Sequence, residues 1–191
     1  MREFIYYSAK GRTSGNFKDL MSAGRLDIAC HAVISSFFLS NRIREDVKLN
    51  LILDGPPDAP KHIEFIYDKE IPISKKDVGG LLKRMLFKYK KDKKTEVFPG
   101  CFIEKKSLRN LIKDYNHRNI YLLDKKGKDI REIEIKKDPI FIIGDQEGIN
   151  KKEKRFILKN FNINLISIGN FDYFSSQVIS IVNNEVDRKE L

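Results

Sequence analysis

A chain of 191 residues, 41% of them hydrophobic and 34% charged, is long enough to bury one core without a disulfide or metal staple, which predicts a single domain over residues 1–191. Cys30 and Cys101 lie far apart without a C-x-x-C partner, and the three histidines form no cluster of zinc-ligand spacing, so no metal site is expected. The formal net charge of +10 points to a polyanionic partner, and no apolar run approaches the ~18 residues of a membrane span.

Met1-Arg2-Glu3 runs directly into Phe4-Ile5-Tyr6-Tyr7, a first strand, with neither the apolar core of a signal peptide nor the composition of a transit peptide; a cytoplasmic protein is expected. The following loop, Ser8 to Gly15, has two glycines but no lysine after the second, so it is not a P-loop, and no G-x-G-x-x-G is present. A helix is read from Ile28 to Leu39 and a second strand from Val47 to Leu53, ending in the loop Asp54-Gly55-Pro56-Pro57. A short strand at Ile63–Tyr67 precedes a basic amphipathic segment. Between Lys75 and Lys94, nine cationic residues face two acidic ones, a net +7, while Leu81, Leu82, Met85, Leu86 and Tyr89 supply a core face.

Pro99 to Ile103 is read as extended, and Ser107 caps a helix towards Tyr115. Ile120-Tyr121-Leu122-Leu123 is a strand ending at Asp124, and Lys125 to Asp129 reads as a charged turn. Asp138-Pro139-Ile140-Phe141-Ile142-Ile143-Gly144 then has the character of a strand buried on both faces, because four apolar residues follow a proline that cannot donate to a ladder. Gly144 and Gly148 bound an acidic turn, and Asn150-Lys151-Lys152-Glu153 has capping-box spacing at the start of a helix. Leu165 to Asn170 is another strand entering a glycine turn. Ser175 to Arg188 carries Val178, Ile179, Ile181, Val182 and Val186 at helical spacing.

Alternating strands and helices imply an α/β fold with a parallel sheet. Its carboxyl edge, where ligands sit in such folds, would collect the loops after Leu123, Gly144 and Ile168.

I-x-G-D-x-E-G in the middle loop and S-I-G-N before the last helix resemble the SPOUT methyltransferases. Arg12-Thr13-Ser14-Gly15, Ala23-Gly24-Arg25-Leu26-Asp27, Arg44-Glu45-Asp46 and Asn184-Glu185-Val186-Asp187-Arg188 narrow the likeness to the archaeal tRNA pseudouridine-54 N1-methyltransferase family, over nearly the whole chain. The resemblance implies a C-terminal trefoil knot, with knot and cofactor site within about 120–191, and S-adenosylmethionine held by the three loops. Cofactor contact then falls on Leu123, Gly144, Asp145, Gly148, Ile168 and Gly169, with Ser167 and Val178 nearby. The resemblance also leads one to expect cysteine at the position of Val178 in some relatives, so the valine here argues against a thiol role. Glycines let a ligand approach the backbone, so Gly144→Val is expected to abolish cofactor binding with the fold intact.

Methyl transfer is an in-line displacement, so the protein supplies positioning, and a carboxylate able to take the pseudouridine N1 proton would assist. Asp46, and after it Asp54, are candidates, with Arg44 orienting the base; Asp46 and Arg44 are equally readable as a structural ion pair. Arg12, Arg25, Lys83, Arg84 and Lys88 are candidate RNA phosphate contacts, and aromatics of the first strand and helix are candidate stacking platforms or core. The resemblance also implies a homodimer, in which the first helix packs on the C-terminal helix of a second subunit. Two alternatives stand beside the tRNA reading: N1 methylation of pseudouridine in small-subunit rRNA, and an RNA-binding protein without catalysis. A nucleotide hydrolase built on the Gly11–Gly15 loop is disfavoured by the missing lysine.

Overall fold

In the computed structural model, which describes residues 1–115 and 117–189, the first strand is the centre of the sheet. Every residue of β1 (Arg2–Ser8) is buried, as its aromatic run requires. The chain continues through α1 (Leu26–Phe37), β2 (Val47–Leu53), β3 (Lys61–Ile66), α2 (Val78–Phe87), β4 (Thr95–Phe98), β5 (Cys101–Glu104) and α3 (Leu108–Asp114). It ends with β6 (Ile120–Asp129), β7 (Ile140–Gly144), α4 (Lys151–Asn160), β8 (Ile163–Ser167) and α5 (Ser175–Arg188). The eight strands form one sheet in the order β4-β5-β3-β2-β1-β7-β6-β8.

The half from β2 to β8 is parallel, with Phe4, Phe141 and Tyr121 in register across β1, β7 and β6, their rings 5.7 and 5.5 Å apart. The sheet as a whole is mixed, because β3, β5 and β4 are added antiparallel. The physical reason is the length of the connections: residues 54–60 between β2 and β3 are too few for the crossover that a parallel neighbour demands.

Alternation along β1 divides the core between the two faces of the sheet. Phe4 and Tyr6 face the layer formed by α1, α2 and α5, whereas Ile5 and Tyr7 face α3 and α4. α1 packs against α5 of its own chain, and Asn183 Nδ2 donates to the Ser35 carbonyl at 3.2 Å. That face of α1 is therefore covered within the protomer. The basic helix ends at Phe87, so the lysines from Lys88 onward belong to its cap and to the connection into β4.

Residues 125–129, read as a turn, belong to a long irregular β6. Ile166 of β8 pairs with both Leu123 and Lys128, and the residues between them bulge around it. A Cβ on Gly127 would lie 2.4 Å from Ile166 backbone atoms, so glycine is what allows this approach. The Ile130 amide continues the wrap by donating to the Ser167 carbonyl at 2.9 Å.

Candidate active site

The strands β1, β2, β6, β7 and β8 run the same way, so the residues that follow them collect at one edge. Leu123, Gly144, Asp145, Gly148, Ser167, Ile168, Gly169 and Val178, all eight candidate cofactor contacts, line a single cavity of about 160 Å³ with Asp124, Lys125, Ile143, Phe171 and Asp172. This is smaller than the roughly 300–1,000 Å³ of most ligand pockets, so a nucleoside-sized ligand would rest in it as an open cleft. Ser175, at the start of α5, donates to the Gly144 carbonyl at 2.8 Å, and this bond ties the last helix to the middle loop.

The three glycines do different work. Gly148 and Gly169 have φ of +72° and +124°, and a Cβ added at either would meet nothing within 4 Å, so backbone lies open beside the cavity. Gly144 is different. A Cβ there would come within 2.5 Å of the Gly148 backbone and 2.7 Å of the Ile149 nitrogen, so its glycine serves closure of the 145–148 turn. Gly144→Val therefore cannot leave the loop intact, which corrects the expectation from sequence.

Of the three carboxylates lining the cavity, two are neutralised. Asp124 pairs with Lys154, and Asp172 with Lys125 at 2.6 Å. Asp145 has no ion pair among the described residues; it is buried, receives the Glu147 amide at 2.9 Å, and its backbone nitrogen donates to the Tyr7 carbonyl at 2.9 Å. Burial pushes its carboxyl above the ordinary aspartate range, opposed by a hydrogen bond from Ser8. Buried Tyr6 lies near it, and burial reinforced by the charge of Asp145 raises the phenol far above its usual range. Glu147 pairs with Lys10 at 2.5 Å on the surface.

Asn150 caps α4 by accepting the Glu153 amide at 2.8 Å, and its Nδ2 donates to the Tyr7 hydroxyl at 3.0 Å. The Tyr7 hydroxyl in turn donates to Asp54 at 3.0 Å, so Asp54 stands at the same edge as the cavity. The glutamate of the expected capping box instead accepts from Arg109 through both oxygens.

Asp46 and Arg44 are not brought to this edge. Asp46 precedes β2, so it lies at the amino edge, roughly 20 Å away along a strand of seven residues. There Arg2, only 4% exposed, bridges Asp46 and Asp187 at 2.7 Å each, and Arg44 binds Asp187 at 2.8 Å. Both residues serve an ion-pair cluster that fastens the end of α5 under the sheet, and within one protomer they do not reach the cavity.

The candidate RNA contacts lie on the loop after β1, at the N-cap of α1, and on α2 and its cap. Arg12 lies in the loop after β1, with a buried Nε that has no hydrogen-bond partner. Arg25, in a left-handed conformation at φ 63°, is held by both oxygens of Asp27. Lys83 donates to the Phe17 carbonyl at 2.8 Å, Arg84 pairs with Asp77, and Lys88 sits 5.1 Å above the Phe98 ring. The aromatics of β1 and α1 are core; those left exposed are Phe171, Tyr173 and Phe174, on the loop that borders the cavity, together with Phe87. Among the described residues no group of histidine, cysteine and carboxylate side chains is arranged to hold a metal, and no helix is long and apolar enough to cross a membrane.

Comparison with known proteins gives concordant results. The model of the SAM-dependent RNA methyltransferase family matches residues 1–191. A tRNA (pseudouridine(54)-N(1))-methyltransferase of Methanosarcina mazei is 35% identical, with 100% of this chain and 92% of that protein covered. Its counterpart in Methanocaldococcus jannaschii is 34% identical over 100% and 98% of the two chains. That of Pyrococcus abyssi is 33% identical over 98% of each. Among solved structures, Archaeoglobus fulgidus Nep1 bound to S-adenosylhomocysteine superposes with a TM-score of 0.68 at 16% identity, covering 99% of this chain and 98% of that one.

Proposed function

The chain belongs to the SAM-dependent RNA methyltransferase family and, with the archaeal relatives above, to that of the tRNA (pseudouridine(54)-N(1))-methyltransferases, and from that premise we propose that it methylates N1 of pseudouridine 54 in tRNA. The observation that carries the reading is the cavity after β6, β7 and β8, lined by the residues whose sequence pattern resembles the cofactor loops of this class. Open backbone at Gly148 and Gly169 fits an adenosine-bearing ligand bound mainly through main-chain groups. S-adenosylmethionine, when bound, supplies an electrophilic methyl on a sulfonium sulfur.

What the chain itself contributes is position and a proton acceptor. Pseudouridine is joined to ribose through carbon, so its N1 carries a proton that must leave as the methyl arrives. Asp145 is the cavity carboxylate without a cation on it, and burial makes it the more basic. We assign it the N1 proton, in place of Asp46. Phe171 borders the same cavity and is 77% exposed, which suits stacking of a base turned out of its helix.

A cytoplasmic homodimer with a C-terminal knot completes the proposal. Support for the knot comes from the wrap of residues 123–130 around Ile166 and Ser167 of β8, with α5 beyond it. The exposed Tyr173 and Phe174 offer apolar surface to a second copy beside the cavity. The function is tested by presenting purified protein and S-adenosylmethionine with pseudouridine-containing tRNA and with small-subunit rRNA fragments. Methyl transfer to the tRNA alone supports the reading; transfer to the rRNA fragment alone, or to neither, contradicts it.

A further inference from the structure

The strongest unassigned feature is a groove of about 680 Å³ on the flank of the sheet opposite α1 and α5. It is lined by Arg109 of α3 and by Lys151, Lys152, Arg155, Phe156 and Lys159 of α4. Glu153 is the acidic residue of this helix, and both of its oxygens are held by Arg109. Lys151, Lys152, Arg155 and Lys159 are exposed and have no ion pair among the described residues. They extend over about 12 Å of helix, at 1.5 Å per residue. The guanidinium of Arg109 lies 3.7 Å above the Phe156 ring, a cation stacked on an aromatic plane within the same groove.

The position of the stripe gives it a meaning. Its first cation, Lys151, follows Gly148 of the cavity by three residues, so the stripe begins at the rim of the methyl-donor site and runs away from it along the flank. The positive end of the α4 dipole is at that rim too. An unpaired run of cations with a half-buried aromatic at its side fits a polyanion that also carries planar bases.

We propose that α4 and Arg109 form a docking track for the tRNA backbone, holding about three successive phosphates while the target nucleotide enters the cavity. The track rests on the function proposed above and names the surface that binds the body of its substrate. It also replaces much of the role expected of α2, where Lys83 and Arg84 are tied to Phe17 and Asp77. Lysine compactness matters less here than the open row of charges, whose release of counterions gives binding its salt dependence.

The test is the affinity of a pseudouridine-containing tRNA for full-length protein, measured by fluorescence anisotropy across a salt series. Arg155→Ala with Lys159→Ala removes two phosphate contacts. The expected loss is roughly 30-fold at 0.1 M salt, with the slope of log affinity against log salt shallower by about 1.6. Lys90→Ala with Lys91→Ala removes the same net charge elsewhere and is expected to cost less than about threefold, a shift of bulk charge alone. Phe156→Leu keeps the apolar packing and should weaken binding without altering the slope. Thermal melts and calorimetry with S-adenosylhomocysteine confirm that each variant is folded and has its cofactor site.

Equal effects of the two double variants, or no effect of the α4 pair, overturn the track. So does loss of binding to phosphatidylserine vesicles with tRNA binding unchanged, which would make the stripe a membrane contact. Failure of the wild-type protein to bind tRNA at all would instead overturn the function on which the track rests.

Discussion

The contrast between Gly144 and Gly148 isolates the part of the loop that folds it from the part that meets the ligand. Gly144→Ala puts a methyl within 2.5 Å of the Gly148 backbone, a contact that neither side can yield by rotating a bond. The 145–148 turn must open, and we expect a loss of about 1–3 kcal/mol, the usual cost of overpacking, or roughly 2–10 °C in Tm for a chain of this size. Gly148→Ala has open space around its Cβ and keeps its contacts, but holds φ at +72°, which costs about 1–2 kcal/mol in an L residue. Its methyl, roughly the 30 Å³ share of a water molecule, stands beside a cavity of only about 160 Å³. Steric conflict with a seated ligand at about 1–3 kcal/mol corresponds to a five- to 150-fold loss of affinity. Calorimetry with S-adenosylhomocysteine and a thermal melt on each variant separate the two effects. Gly148→Ala with unchanged affinity would show that no ligand rests on this backbone. Gly144→Ala with an unchanged melt would refute the packing account of the turn.

Asp145→Asn should retain cofactor binding and lose about 100-fold or more in kcat, together with the acid limb of the pH–rate profile; a retained limb would assign the proton elsewhere. Asp46→Asn should change kcat less than about threefold, while Asp187→Ala, which strips a carboxylate from buried Arg2 and from Arg44, should cost about 2–3 kcal/mol in denaturant unfolding. The reverse ranking would restore Asp46 to the chemistry. A hydrogen bond from His62, whose own burial lowers its pKa below the usual imidazole value, and the neighbouring Lys106 hold the Glu104 carboxyl down to about 2, below its unfolded value near 4.5. Its contribution is therefore complete above pH 4.5 and is lost as pH falls towards 2. With allowance for solvent this amounts to about 1–2 kcal/mol, and Glu104→Gln should remove that portion of the acid sensitivity.

The cavity was legible because strand ends in a parallel sheet converge by geometry, and glycines mark where backbone must approach something closely. The direction of β3 was not legible from its own residues; only the shortness of the 54–60 connection reveals it. That Asp46 lies at the amino edge of its own protomer was not legible, because an exposed carboxylate beside an arginine has the same local appearance at either edge of a sheet. Its position before β2 rather than after it was the available signal, since only residues that follow parallel strands reach the ligand edge. The α4 stripe escaped notice because its cations alternate with Glu153 and apolar residues, and only the fold reveals that Arg109 neutralises that one acid. That Gly144, which lines the cavity, also closes the 145–148 turn was not legible, because sequence does not show which neighbour a missing side chain makes room for.

The most direct test of the account uses one tRNA made in two forms, with pseudouridine or with uridine at position 54, incubated with the protein and S-adenosylmethionine and then weighed by mass spectrometry after nuclease digestion. The account predicts a gain of one methyl on the fragment holding pseudouridine 54 and none on the uridine form. A methyl on both forms, or on neither, would contradict it.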